Sequence, residues 1–167
     1  ILLTHIDKQQ MRSMKMAYLP QAQQTKWQQS NEIDLTRTAV LVIDVLGGEE
    51  GTLPALQEMA DNSVRIVEAA RAKNVPVIFS CDAHIPAYDR EIELWGEHGI
   101  VGSEAAKPLA AFKVTDSDIV IPKRRYDGFF GTDLDMTLRE LGVDTIIAVG
   151  CDTNICVLQT RAGAYFN

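Results

Sequence analysis

The order of apolar and polar positions after residue 37 predicts strands that alternate with helices. Four largely apolar runs have the length and composition of strands, and they span residues 38–43, 75–81, 119–122 and 145–149. The first of them has the composition of a strand covered on both faces. Apolar residues at helical spacing predict a helix over residues 53–73, and a second helix runs from a Thr132 cap to Gly142. This alternation is typical of an α/β domain with a mostly parallel central sheet.

Residues with reactive side chains follow three of these apolar runs. Asp44 comes directly after the first run, Lys123 ends the third, and Cys156 lies in the first turn of the helix predicted after the fourth. Ligands of open α/β sheets bind outside the carboxyl ends of the strands, so the three side chains are expected to converge. A helix N-terminus also favours the thiolate form of Cys156. Each residue taken singly is more often a solvated strand end or a buried structural cysteine.

A second polar cluster lies in the long connection over residues 82–117, where at most one short helix is expected, near residues 104–112. It contains Asp82, His84 and His98, and therefore two of the three histidines of the chain. One carboxylate and two imidazoles form a common ligand set for a divalent metal that keeps open positions. Long loops in compact domains are usually functional, although an isolated Asp-x-His is more often an ordinary surface loop.

With these residues the chain resembles the isochorismatase-like cysteine hydrolases over about residues 38–167. The resemblance rests on the acid after the first strand, on residues 123–134 and on residues 150–156. It implies a three-layer α/β/α fold with a mostly parallel sheet. It also implies a catalytic triad in which Asp44 is general base and acid, Lys123 supports the charged pair, and Cys156 attacks the substrate.

The resemblance extends to details of the reaction. It implies a cis peptide bond between Cys151 and Asp152, and the N–H groups of Asp152 and Cys156 are expected to hold the oxyanion. Aromatic candidates for the pocket wall are Trp95, Tyr126 and Phe129, and for each of them plain core packing is an equal alternative.

The Asp-x-His and Trp-Gly-x-His patterns that end at His84 and His98 are similar to the nicotinamidase branch. This similarity implies hydrolysis of nicotinamide to nicotinate and ammonia through a cysteine thioester. It also implies a divalent metal held by Asp82, His84 and His98, with zinc as the first candidate. Two alternatives remain open: a metal-free hydrolase of another small amide, a ureido compound or isochorismate, and a catalytically silent binding member. Residues 123–134 also resemble the ureidoacrylate amidohydrolases, which favours the first alternative.

Composition narrows the classes of partner. The 167 residues are 46% hydrophobic, which is enough for one core. A net charge of -7 argues against a nucleic-acid partner, because phosphate contacts need clustered basic residues. No apolar run is long enough for a membrane span and no signal-peptide pattern opens the chain, so a cytoplasmic enzyme is predicted. Its expected partners are a small amide substrate and further copies of itself in a homo-oligomer.

Two regions are expected to lie outside the regular domain. Residues 1–37 are rich in Gln and Met without clear periodicity, and we interpret them as an N-terminal arm. The arm is either a poorly ordered leader or a segment that packs on a partner subunit. Residues 38–167 form the hydrolase domain, and its C-terminal part is expected to be missing, because relatives continue through at least one more strand and helix.

Overall fold

The computed structural model describes residues 33–48 and 54–167. Most of the predicted arm, residues 1–37, therefore lies outside the described residues. Its last residues contain a short 3-10 helix, Leu35–Arg37, which Asp34 caps by accepting a hydrogen bond from the backbone N–H of Thr36.

In the described residues four strands and four α-helices alternate, and the apolar pattern predicts all of them except one single-turn helix after the second strand. They are β1 (Thr38–Ile43), α1 (Pro54–Arg71), β2 (Val77–Asp82), α2 (Ile92–Trp95), β3 (Ile119–Lys123), α3 (Leu134–Glu140), β4 (Thr145–Gly150) and α4 (Cys156–Phe166). The strands pair in parallel, in the spatial order β3-β2-β1-β4. The expected α/β fold with a parallel central sheet is confirmed.

The side chains of β1 alternate between two apolar layers, and all six are buried. On one face, Val40 and Val42 join a cluster that includes residues of α1 and the edge-to-face pair of Phe79 and Phe112, whose ring centroids are 5.1 Å apart. On the other face, Leu41 joins a cluster built with residues of α3 and α4. Helices on both faces of one sheet make the three-layer α/β/α arrangement, and they explain why β1 is a continuous apolar run.

The strand β4 is more exposed than β1. All six of its residues are only half-buried. Among the described strands β4 pairs with β1 alone, and this position at the edge of the sheet accounts for its exposure.

The long connection after β2 contains more helical structure than expected. Besides α2 it has two 3-10 helices, Glu104–Ala106 and Ala110–Phe112, where one short helix was predicted. Each of these elements is a single turn, too short for apolar periodicity to reveal. In the described part of the chain no helix is long and apolar enough to cross a membrane.

The helices α3 and α4 begin slightly later than predicted. Thr132 lies just before α3, where its hydroxyl accepts a hydrogen bond from the Leu134 N–H and donates one to the Gly128 carbonyl. The last helix starts at Cys156, because residues 153–155 form a turn. Cys156 is therefore the first residue of α4, as its predicted position in the first turn requires.

Candidate active site

The carboxyl ends of three neighbouring strands bring the predicted polar residues together. Asp44 follows β1, Asp82 ends β2 and Lys123 ends β3, with Asp82 and Lys123 in register. Asp44 has a φ of +51°, a left-handed conformation that is uncommon for a residue with a side chain. One carboxylate oxygen of Asp44, Oδ1, accepts a hydrogen bond of 2.9 Å from the backbone N–H of Asp82, which fixes its orientation.

Lys123 lies at the centre of this group, and its side chain is fully buried. Its Nζ is 2.7 Å from Asp44 Oδ2, forms a second ion pair with Asp82 Oδ1, and is 3.7 Å from Cys156 Sγ. The three residues predicted as a triad therefore meet. Asp82 joins them as a second carboxylate on the ammonium, a role that the sequence did not reveal, because Asp82 was assigned only to a metal.

The pKa values indicate which group holds the proton. Burial raises the pKa of Asp44 to about 6, although the ammonium of Lys123 opposes the rise. Burial, and next the negative charge of Asp44, raise the pKa of the Cys156 thiol, which also hydrogen-bonds to the Asp44 carboxylate. The thiolate expected from the helix N-terminus is therefore not favoured in the resting site, because burial and a neighbouring anion outweigh the dipole. The site holds a neutral thiol beside a carboxylate that can accept its proton.

The turn before α4 leaves two backbone donors available. The Cys151–Asp152 peptide bond is cis, as the resemblance implied. The carbonyl of Asp152 accepts hydrogen bonds from the N–H groups of Ile155 and Val157. In the described part of the chain no acceptor takes the N–H of Asp152 or that of Cys156. These are the two N–H groups expected to form an oxyanion hole.

A candidate metal centre lies beside the triad. Ligand atoms of Asp82, His84 and His98 all lie within 4.8 Å of one another. His84 is buried, neither of its ring nitrogens has a hydrogen-bond partner among the described residues, and its Nε2 is 3.7 Å from Asp82 Oδ2. His98 Nδ1 contacts the carbonyl of Gly96 at 2.8 Å, which leaves Nε2 as its ligand atom. A buried imidazole without partners is costly, so the donor set fits a bound divalent ion.

The loop that carries His84 is anchored by a carboxylate that sequence reasoning missed. The side chain of Asp89 is fully buried, and its Oδ2 accepts a hydrogen bond of 2.7 Å from the N–H of Ile85. Its Oδ1 is 2.6 Å from Arg124 Nη2 and 3.1 Å from Arg125 Nη1, and the hydrogen bond from Arg124 holds the pKa of Asp89 well below its usual range. The basic pair after Lys123 was the only local signal, and it does not identify an acidic partner 35 residues away in the chain.

A cleft of about 430 Å³ opens onto the triad. Asp44, Asp82 and Cys156 line its inner end, and Trp95 and Tyr126 are the aromatic residues in its wall. The indole N–H of Trp95 donates a hydrogen bond of 2.9 Å to the Tyr126 hydroxyl, which joins the two side chains.

The third aromatic candidate, Phe129, lies outside the cleft. It packs against the apolar cluster between the sheet and helices α3 and α4, so the core-packing alternative applies to it.

The two remaining cysteines have different surroundings. Cys81 is buried near the end of β2, whereas Cys151 is half-buried and lines the cleft, with its thiol donating to Asp152 Oδ1 at 2.9 Å.

Comparison with known proteins confirms the expected class. Residues 38–167 match the family model of the isochorismatase domain, and the chain therefore belongs to the isochorismatase family. It is 47% identical over 125 residues to a ureidoacrylate amidohydrolase of Serratia proteamaculans, a match that covers 63% of this chain and half of that relative.

Two solved structures show how the fold compares. An N-carbamoylsarcosine amidase from Thermoplasma acidophilum superimposes with a TM-score of 0.74 and 32% identity, over 78% of this chain and 76% of that one. A nicotinamidase from Bacillus subtilis superimposes with a TM-score of 0.68 and 28% identity, over 78% of this chain and 79% of that one.

Proposed function

We propose that this chain is a cysteine amidohydrolase that cleaves a small carboxamide, with nicotinamide as the first candidate substrate. The observation that carries the proposal is the buried contact of Lys123 with Asp44, Asp82 and Cys156 at the inner end of the cleft. A buried thiol, a carboxylate of raised pKa and a fixed cation are the groups that a cysteine hydrolase needs.

The first half of the reaction forms a thioester. Asp44 takes the proton of the Cys156 thiol as the sulfur attacks the carboxamide carbon, and the N–H groups of Asp152 and Cys156 bind the resulting oxyanion. Asp44 then gives the proton to the departing nitrogen, so ammonia leaves as the C–N bond breaks. Lys123 keeps its positive charge beside both groups while negative charge moves between sulfur and carboxylate.

The second half releases the acid. Asp44 takes a proton from a water molecule that attacks the thioester carbon, and the C–S bond breaks. The products are a carboxylic acid and the Cys156 thiol, which regains its proton from Asp44. The same pair of residues therefore serves both steps, and a carboxyl pKa near 6 suits alternate proton uptake and release at neutral pH.

Asp82, His84 and His98 are the residues that would hold a divalent ion, which we propose to be zinc. Such an ion would supply a Lewis acid at the cleft, able to bind a ring nitrogen or polarise a water molecule. The His98 side chain lines the cleft, and both carboxylate oxygens of Asp82 are engaged from different sides, one by Lys123 and the other facing His84.

A metal-free hydrolase of a ureido compound is the second candidate. The identity to a ureidoacrylate amidohydrolase and the structural likeness to an N-carbamoylsarcosine amidase favour it. The metal content of the purified protein separates the two candidates. A catalytically silent member is the third, and the contacts between Asp44, Lys123 and Cys156 count against it.

The test is ammonia release from a panel of small amides and ureido compounds, nicotinamide included. We expect release from at least one of them, and loss of at least about 1000-fold in kcat for Cys156→Ala with the fold unchanged by circular dichroism. Cys81→Ala is the matched control, because that thiol is buried and does not line the cleft. Full activity of Cys156→Ala would identify another nucleophile, and no release from the panel would favour the silent member.

A further inference from the structure

The rim of the cleft carries two carboxylates that the proposed reaction does not use. Glu91 and Glu97 both line the cleft, near Trp95 and His98. Glu91 occupies the N-cap position of α2, yet its side chain makes no capping hydrogen bond. In the described part of the chain neither carboxylate has an ion pair or a hydrogen bond, and both residues contribute to the lining of the cleft.

No cation in the described residues balances these charges inside the cleft. Neither a lysine nor an arginine is among the described residues that line the cleft. Lys123 lies behind Asp44 and Asp82 with its ammonium fully buried between them. Arg124 and Arg125 are engaged by Asp89 outside the cleft. A carboxylate on a substrate would therefore meet no basic partner here.

Five carboxyl groups are among the described residues that line the cleft. Asp44, Asp82 and Asp152 lie near the thiol, and Glu91 and Glu97 lie on the rim. The positive charge of Lys123 neutralises only part of this negative charge. A bound divalent ion would still leave the net charge of the cleft negative. Clefts lined by one sign of charge focus the field between low-dielectric walls, so their effect on a charged ligand exceeds that of the same charges on an open surface.

We propose that the cleft selects amides whose body is neutral or positively charged and rejects amides that carry a carboxylate. Glu91 and Glu97 are the specificity-determining residues. The aromatic wall of Trp95 and Tyr126 suits the same ligands, because aromatic rings attract flat neutral groups and cations. The statement about amides rests on the proposed function, but the charge selection itself can be measured without turnover.

The rates at which charged reagents modify the Cys156 thiol report the electrostatic potential in the cleft. In a Cys151→Ser background, cationic 2-aminoethyl methanethiosulfonate and anionic 2-sulfonatoethyl methanethiosulfonate are compared by the rate at which each modifies Cys156, followed by mass spectrometry. The ratio of the two rates is divided by the same ratio for 2-mercaptoethanol. We expect Cys156 to favour the cationic reagent by at least about tenfold more than the small thiol does.

Replacing the rim carboxylates tests their part in this preference. Glu91→Gln with Glu97→Gln should reduce the ratio at least about threefold. Glu93→Gln is the matched control, since Glu93 is an exposed glutamate of the same helix that lies outside the cleft. A normalised ratio near one, or a ratio that the double variant retains in full, would overturn the inference.

Matched substrates provide the second measurement. The values of kcat/KM are compared for 3-(aminomethyl)benzamide, 3-methylbenzamide and 3-carbamoylbenzoate, which differ in charge but little in size. We expect the anionic compound to be at least about tenfold worse than the neutral one. Charge preference in thiol labelling without turnover of any amide refutes the proposed function and supports this inference. Turnover of all three compounds at similar rates would support the proposed function and refute this inference.

Discussion

Lys123 connects the groups that would carry out the reaction. Burying an ammonium is costly unless it is paired, and here it contacts the carboxylates of Asp44 and Asp82. Burial alone would lower the pKa of Lys123, but the two carboxylates outweigh it and raise that pKa. The ammonium therefore stays charged, and it lets Asp44 ionise near neutral pH although that carboxyl is buried.

At the residue scale we predict an acid limit of activity that Asp44 sets. Because the pKa of Asp44 is about 6, its base form is lost below that pH, and kcat/KM for a neutral amide should fall about tenfold per pH unit there. The pH profile of kcat/KM measures this. A profile that stays flat from pH 7 down to pH 5 would exclude Asp44 as the base.

Lys123→Met tests the electrostatic role of the ammonium. Removing a cation that lowers the pKa values of Asp44 and Cys156 should shift the alkylation of Cys156 by iodoacetamide to higher pH. The variant should also lose about 3–5 kcal/mol of stability, because two carboxylates stay buried without their partner. Lys107→Met is the control, since Lys107 pairs with Glu104 on the surface. Superimposable alkylation profiles would reduce Lys123 to a structural residue.

At the scale of elements, close approach of β1 and β4 positions the turn that leads to the nucleophile. Gly150 ends β4 with a φ of +143°, opposite Ile43 of β1. A Cβ on Gly150 would lie 2.8 Å from the Ile43 carbonyl carbon, which is backbone and cannot rotate away. The N–H of Cys151 also donates to the Ile43 carbonyl at 2.9 Å. The turn over residues 151–155 therefore starts from a fixed point on the central strand.

We predict that Gly150→Ala costs about 3 kcal/mol or more in free energy of unfolding, through steric overlap added to backbone strain. Gly142→Ala is the matched control. Gly142 also has a positive φ, +68°, but a Cβ there meets nothing within 4 Å, so strain alone should cost about 1–2 kcal/mol. Urea unfolding of both variants gives the comparison. Equal losses would show that the contact between β1 and β4 relaxes freely.

At the scale of the whole molecule, the arrangement of layers explains why the polar candidate residues lie together. The two faces of the sheet are occupied by apolar clusters, so polar groups gather at the carboxyl ends of the strands. The ion pairs of Asp89 with Arg124 and Arg125 tie the loop after β2 to the segment after β3. The candidate metal ligand His84 and the candidate triad residue Lys123 therefore lie on segments that these ion pairs connect.

A bound metal should be visible in the stability of the whole domain. If zinc binds Asp82, His84 and His98 in the folded state only, a concentration of 100 times its Kd should raise the free energy of unfolding by about 2.7 kcal/mol. His98→Ala should abolish this gain, whereas Asp82 variants would also disturb Lys123. His5→Ala replaces the one histidine outside the cluster and is the control. Zinc-independent unfolding of the parent protein would favour the metal-free candidate.

The sequence by itself determined the order of the strands and of the three longer helices, and it named most candidate residues. Continuous apolar runs identify β1 and β2 because burial on both faces excludes polar residues, and a reactive residue at the end of each run marks the functional edge. Patterns of this kind depend only on residues that are close together in the sequence. The predicted N-terminal arm, the homo-oligomer and the site roles stay predictions that the experiments above or a measurement of mass in solution address.

Only the tertiary structure decided how these residues interact. The second carboxylate on Lys123, the neutral state of Cys156, the anchor at Asp89 and the exclusion of Phe129 from the cleft all depend on contacts between distant segments. Spacing along a chain does not fix such distances. The helix N-terminus beside Cys156 is a local feature that favours the thiolate, but burial and the nearby carboxylate are set by the fold, and they prevail.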